Sequence, residues 1–196
     1  MLKNRIITAL AIAFVALAAI FLLPLWAFSL FFLAAAGFGV FEWAGFAGLE
    51  SLRAKLLYTG LFLFMAAGLY LLKAYSADFI GLVSMLWMCA IASILLYPTG
   101  EFLYKNQWFV GALGLVIMLG AWVSLCMLRV HDQGALWLVW LFVLTTATDV
   151  GAYFVGKAFG KNRLAAQLSP GKTWEGAIGG CVIATLICAS ALMFWQ

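Results

Sequence analysis

Asp149 is a carboxylate inside an apolar run, and eight residues later, at Lys157, a basic loop begins. The stretch Thr148–Gly180 reads TDVGAYFVGKAFGKNRLAAQLSPGKTWEGAIGG. Lys157, Lys161, Arg163 and Lys172 make the loop 157–175 basic, Glu175 closes it, and apolar sequence resumes at Gly176. An acid at membrane depth that leads into a basic, glycine-containing loop suits an anionic head group held at the lipid–water boundary.

Each of these residues has a plainer reading. A central Asp in a span costs about 2.5–3.5 kcal/mol on insertion scales, and intramembrane acids are functional by default. Asp149 lies roughly 12 Å below Lys157 along a helix. Its neighbours three and four residues away are Thr145, Thr146, Ala152 and Tyr153, so its face is expected to point into the bundle. The competing role is packing, with Asp149 bonded to a Tyr or Thr of a facing helix. The loop's cations could be ordinary cytoplasmic charge, but the segment Ser169-Pro170-Gly171-Lys172-Thr173 adds a helix start. Either Ser169 is the N-cap with Pro170 at the first helical position, or Thr173 is a later cap. Free N–H groups there, the positive dipole end and Lys172 would make an anion site. Gly171-Lys172-Thr173 imitates the end of a P-loop, but Ala166 stands where the leading glycine belongs and no strand is expected before it, which argues against that motif. The Gly176/Gly180 spacing suits close helix packing as well as ligand approach. Cys89, Cys126, Cys181 and Cys188 lie in apolar runs without metal or disulfide spacing, and His131 falls far from the loop.

The elements that position these residues are membrane helices. The 196 residues are 67% hydrophobic and 9% charged, with a mean hydropathy of +1.13. Soluble domains run nearer half apolar and a quarter charged. Lipid offers the backbone no hydrogen bonds, so the expected fold class is all-α, a polytopic transmembrane helical bundle. The apolar run from Ile6 to Phe41 would make a helix of about 54 Å against a core of roughly 30 Å, and Pro24 is its natural break. The expected spans are 6–23, 25–41, 56–72, 79–97, 108–127, 136–156 and 176–194, a single membrane domain over 1–196. With a cytoplasmic N-terminus, nine of the eleven basic residues face inward and only Lys73 and Arg129 face outward. The loop 157–175 is therefore expected in the cytoplasm. The net charge of +4 is too small and dispersed for nucleic acid.

From Asp149 to Lys157, through Phe159-Gly160-Lys161, to Ser169–Gly176, the chain resembles the phosphatidate cytidylyltransferases, or CDP-diacylglycerol synthases. The opening MLKNRIITAL and the pair Glu42-Trp43 are similar too. Val150 stands where that family often has Ser or Thr. The family's C-terminal block, with Lys-Arg, Lys-Asp, a Pro-Gly-His-Gly-Gly run and closing aspartates, does not occur, so the sequence reads as the N-terminal part of a longer protein. The resemblance implies transfer of CMP from CTP to phosphatidate, giving CDP-diacylglycerol and pyrophosphate, in a bacterial inner membrane. It implies Mg²⁺, with its main ligands in the block not found here and Asp149 a further candidate ligand. It implies catalytic roles for Asp149, Lys172 and Glu175, and substrate contacts from Tyr153, Lys157, Lys161, Arg163, Ser169 and Thr173. Partners would be CTP, phosphatidate, membrane lipids and a second copy in a homodimer. The alternatives are a CTP-dependent lipid kinase of the polyprenol or phytol type, and a lipid-binding or transport protein. The latter would show paired broken helices in two similar halves, and no such symmetry is present.

Overall fold

The computed structural model describes residues 2–71, 77–95, 105–165 and 169–194. Among the described residues, seven helices follow the apolar runs: α1 Leu2–Leu22, α2 Leu25–Phe46, α3 Leu52–Leu71, α4 Ala77–Leu95, α5 Gln107–Val130, α6 Gly134–Phe159 and α7 Trp174–Phe194. Five of them, α2, α3, α5, α6 and α7, are long and apolar enough to cross a membrane. Their outward residues are apolar as well: Leu57 and Phe64 are each 76% exposed. In water such surfaces would drive aggregation, and in lipid they are solvated. The protein is an integral membrane protein built as an all-α polytopic bundle. Lys73, counted above as facing outward, lies outside the described residues.

The chain forms two units, which meet in sequence at Gly134. In the first, α1 and α2 part at Pro24, which has an extended ψ of 159° and precedes α2. Proline lacks the N–H that would continue the ladder, so the run breaks there. Asn106 starts α5 by accepting from the N–H groups of Trp108 at 3.0 Å and Phe109 at 3.2 Å. Helices α2, α3 and α5 pack around Val40, Ala44, Tyr58, Phe62, Ala66, Leu115, Leu119, Trp122 and Val123.

Three aromatic donors tie these helices together by their polar tips. Trp43 Nε1 donates to the Val110 carbonyl at 2.9 Å, Tyr58 Oη to the Gly111 carbonyl at 2.6 Å, and Trp122 Nε1 to the Ser29 carbonyl at 3.0 Å. Each ring is large apolar area, and each tip has found the partner that burial demands. The Trp43 ring reaches α5 because position 114 is glycine: a Cβ there would overlap the indole. The substitution Gly114→Ala should therefore lower stability by about 1–3 kcal/mol, the usual cost of overpacking. Gly60→Ala, with open space around it, should not. Thermal unfolding midpoints in detergent check the pair, and equal midpoints would remove the indole contact from the account.

Candidate functional site

The second unit consists of α6, a short hairpin and α7. Helix α6 ends at Phe159, with Lys157 in its last turn and the Gly160 N–H closing onto the Gly156 carbonyl at 3.0 Å. Strand β1, Arg163–Ala165, then pairs antiparallel with β2, Ser169–Thr173. Arg163 stands opposite Thr173, and Ala165 opposite Ser169. The hairpin was not expected from sequence. Ser169 begins a strand, not a helix, so of the two caps considered Thr173 is the one used. Its Oγ1 accepts from the Gly176 N–H at 3.2 Å as α7 starts at Trp174.

Glycines let α6 and α7 meet at this end. A Cβ on Gly176 would lie 2.8 Å from the Ala152 carbonyl oxygen and 3.2 Å from Gly156 Cα. One on Gly180 would lie 3.1 Å from Ala152 Cβ, and one on Gly179 2.6 Å from Val155. The Gly176/Gly180 pair thus serves helix approach, the small-residue geometry of membrane helices. Thr173 sits in the same crossing, 3.0 Å from where a Gly156 Cβ would be.

Around this joint the structure gathers Lys161, Arg163, Thr173 and Glu175. Arg163 Nη1 donates to the Pro170 carbonyl at 2.7 Å, which holds one arm of its fork across the hairpin. Glu175 accepts from the Lys161 N–H at 3.2 Å, and from Asn162 through its N–H at 3.2 Å and its Nδ2 at 2.9 Å. Asn162 was not singled out from sequence, because its partner is thirteen residues away and no local pattern links the two. The Trp174 N–H donates to the Asn162 carbonyl at 3.0 Å. The first N–H groups of α7 are thus largely engaged within the chain, and the expected backbone anion cradle is correspondingly reduced. The ammonium groups of Lys161 and Lys172 are exposed and have no partner among the described residues.

Asp149, Tyr153 and Lys157 form an exposed stripe along α6, one turn apart. The Lys157 ammonium lies 5.8 Å from the centre of the Tyr153 ring. The expectation that this face points into the bundle is not met within the unit. Helix α7 packs over the side bearing Gly151, Ala152 and Val155, roughly a quarter turn away. Asp149 has no hydrogen bond or ion pair among the described residues, and none joins it to the hairpin. His131 lies in the first unit, beside a cavity of about 820 Å³ whose other walls include Leu25, Trp26, Trp122 and Val130. That cavity holds none of the loop residues.

The described residues bring together no group of three acidic, His or Cys side chains. Both Glu175 oxygens already accept N–H groups. A Mg²⁺ site made by these residues alone does not fit that arrangement, since the cation takes near-octahedral oxygen ligands.

A polytopic helical membrane protein carrying a basic hairpin between two glycine-packed helices defines the class. Within it, the chain belongs to the cytidylyltransferase family, whose model matches residues 3–196. A phosphatidate cytidylyltransferase of Pseudomonas aeruginosa is 38% identical over 180 residues, covering 92% of this chain and 66% of the relative. One of Haemophilus influenzae is 32% identical, covering 95% of this chain and 71% of that protein. One of Bacillus subtilis is 36% identical over 104 residues, half of this chain. The chain thus spans about two thirds of the length of the first two. No solved structure matches it significantly.

The crossing makes a prediction of its own. Gly176→Ala pushes a Cβ against backbone, which cannot rotate away, so α7 must shift and the hairpin with it. Trypsin should then cut after Lys161, Arg163 or Lys172 faster than in the native protein. Gly171→Ala, with open space around it, should leave the cleavage rate unchanged. Equal rates in both variants would show that the crossing does not hold the hairpin.

Proposed function

We propose that this protein is a phosphatidate cytidylyltransferase, with CTP and phosphatidate as substrates. The observation that carries the reading is the basic hairpin at the joint of α6 and α7, in a chain whose relatives bear that name. A phosphate oxygen of phosphatidate attacks the α-phosphorus of CTP. The new P–O bond forms as the bond to the β-phosphate bridge breaks, and pyrophosphate leaves with that electron pair. Such a transfer depends on placing two polyanions together and offsetting their charge, more than on covalent chemistry by the protein.

The ammonium groups of Lys161 and Lys172, without a partner among the described residues, suit phosphate oxygens as point charges. Arg163 keeps donors beyond the arm spent on Pro170, and Lys157 supplies charge at the end of α6. Thr173 caps α7, so its contribution is to place Lys172. Ser169 opens β2 and Tyr153 lines the face below Lys157. Asp149 is the carboxylate at depth on that face, an orienting acid or one ligand of a cation completed by other groups. The reading places the N-terminus and the hairpin in the cytoplasm of a bacterium and the chain in its inner membrane.

Membranes carrying the natural protein should incorporate labelled CTP into lipid when given phosphatidate, and not when given a polyprenol. Lys172→Ala should lower that incorporation at least about tenfold, as the loss of a charged contact does. Lys73→Ala, a cation assigned by charge count to the opposite side, should leave it within about twofold, as removal of an exposed surface charge does. Equal effects of the two would remove the case for a phosphate contact. Orientation is checked by cysteines placed at 163 and 131, probed with an impermeant reagent. They should label from opposite sides, and labelling from one side would overturn the topology.

A further inference from the structure

We infer that Glu175 and Asn162 form a latch that sets the position of the Lys161–Arg163 segment, so that both are positioning residues for the phosphate-binding loop. The inference rests on the proposed function for what the loop binds, but the latch itself rests on geometry.

Glu175 is the second residue of α7, yet its carboxylate turns back across the chain to the end of α6. One oxygen accepts the Lys161 N–H at 3.2 Å, and the other accepts Asn162 Nδ2 at 2.9 Å. The Asn162 N–H lies between them, 3.2 and 3.3 Å from the two oxygens. The Asn162 carbonyl in turn accepts the Trp174 N–H at 3.0 Å. Donor and acceptor thus run both ways between the residues after α6 and the first turn of α7. An ionised carboxylate is an acceptor only, with room for about four donors, and its hydrogen bonds are about twice as strong as neutral ones. This one is filled mainly by the chain's own N–H groups, which leaves it little capacity for a cation or a reacting proton.

The consequence for binding is positional. Lys161 and Arg163 flank Asn162, so fixing the backbone at 161 and 162 fixes where both cations begin. Without the latch the segment between Gly160 and β1 would hold its cations in a wider range of positions, and a phosphate would have to order them on binding. Asn162 is the residue type the latch requires, because it offers the carboxylate a side-chain N–H beside its backbone N–H.

Glu175→Gln tests this with little change in volume. The amide keeps one acceptor oxygen but turns an N–H₂ group toward N–H donors. Backbone hydrogen exchange is measured on the natural protein in detergent without substrate. The Lys161 and Asn162 amides should exchange about tenfold faster in the variant, the scale of losing a charge-assisted bond, while the helices keep their protection. In the CTP-to-lipid assay the KM for CTP should rise about tenfold and kcat fall less than threefold, as for a residue that acts through binding-loop order. Asn162→Ala should give the same pattern with a smaller exchange effect. Unchanged exchange at both amides would overturn the latch. A collapse of kcat with unchanged KM, or restoration of Glu175→Gln by raised Mg²⁺, would overturn the positioning role and make Glu175 a catalytic or metal-holding group. If the native protein makes no CDP-diacylglycerol, the functional reading fails, while the exchange measurement still decides the latch.

Discussion

The hairpin unit depends on how closely α6 and α7 approach, where Gly156 meets Gly176 and Gly180 lies against Ala152. In lipid there is no hydrophobic drive between helices, so contact must come from packing of surfaces that can lie close together. Any side chain at Gly176 would meet the Ala152 carbonyl, and one at Gly179 would meet Val155. With the helices that close, the loop between them leaves from one end and returns to nearly the same place. An antiparallel pair with a short turn is the natural way to make such an excursion, and β1 and β2 are that pair.

A two-stranded ribbon is marginal by itself, and this one carries mostly exposed residues. Its order is borrowed from side-chain bonds at its base. Arg163 reaches across to Pro170, Thr173 caps the returning helix, and Glu175 collects the N–H groups of Lys161 and Asn162. The same bonds hold a carboxylate within a basic segment without engaging the Lys161 and Lys172 ammonium groups. Glu175 is spent on N–H donors, so Lys161 and Lys172 remain available to an outside anion.

Much of the architecture is legible from hydropathy, because a span is a local property of roughly twenty residues. The break at Pro24 and the helix starting near Gln107 follow from single residues, proline without an N–H and asparagine as a cap. The hairpin is not legible in this way. Its strands are three and five residues long, too short for an alternation to show, and β2 contains Pro170 and Gly171, which argue against a strand. Pro170 is tolerated because a two-stranded ribbon has a free edge on each strand. The importance of Lys161, Arg163 and Thr173 could be suspected from charge and capping, but their arrangement rests on Asn162 and Glu175. That pair meets across thirteen residues through tertiary geometry, which one sequence does not encode in any short pattern.

Asp149 poses the remaining electrostatic question. Its nearest hydroxyls do not serve it: Thr145 donates to the Leu141 and Phe142 carbonyls and Thr148 to the Leu144 carbonyl, within the helix itself. Lys157 is two turns away, about 12 Å along the axis, and its ammonium sits over the Tyr153 ring. The helix that carries Asp149 therefore does not neutralise it, and α7 packs on a different side. A carboxylate in hydrocarbon with no compensation costs about 2.5–3.5 kcal/mol even on the mildest scales. Packing does not call for that cost, since Asn would fill the same space. The stripe Asp149–Tyr153–Lys157 is an exposed face of α6 that α7 leaves uncovered. If the proposed activity holds, this face, which leads along α6 toward the hairpin, is where an acid and a cation stand open to a lipid phosphate and a nucleotide.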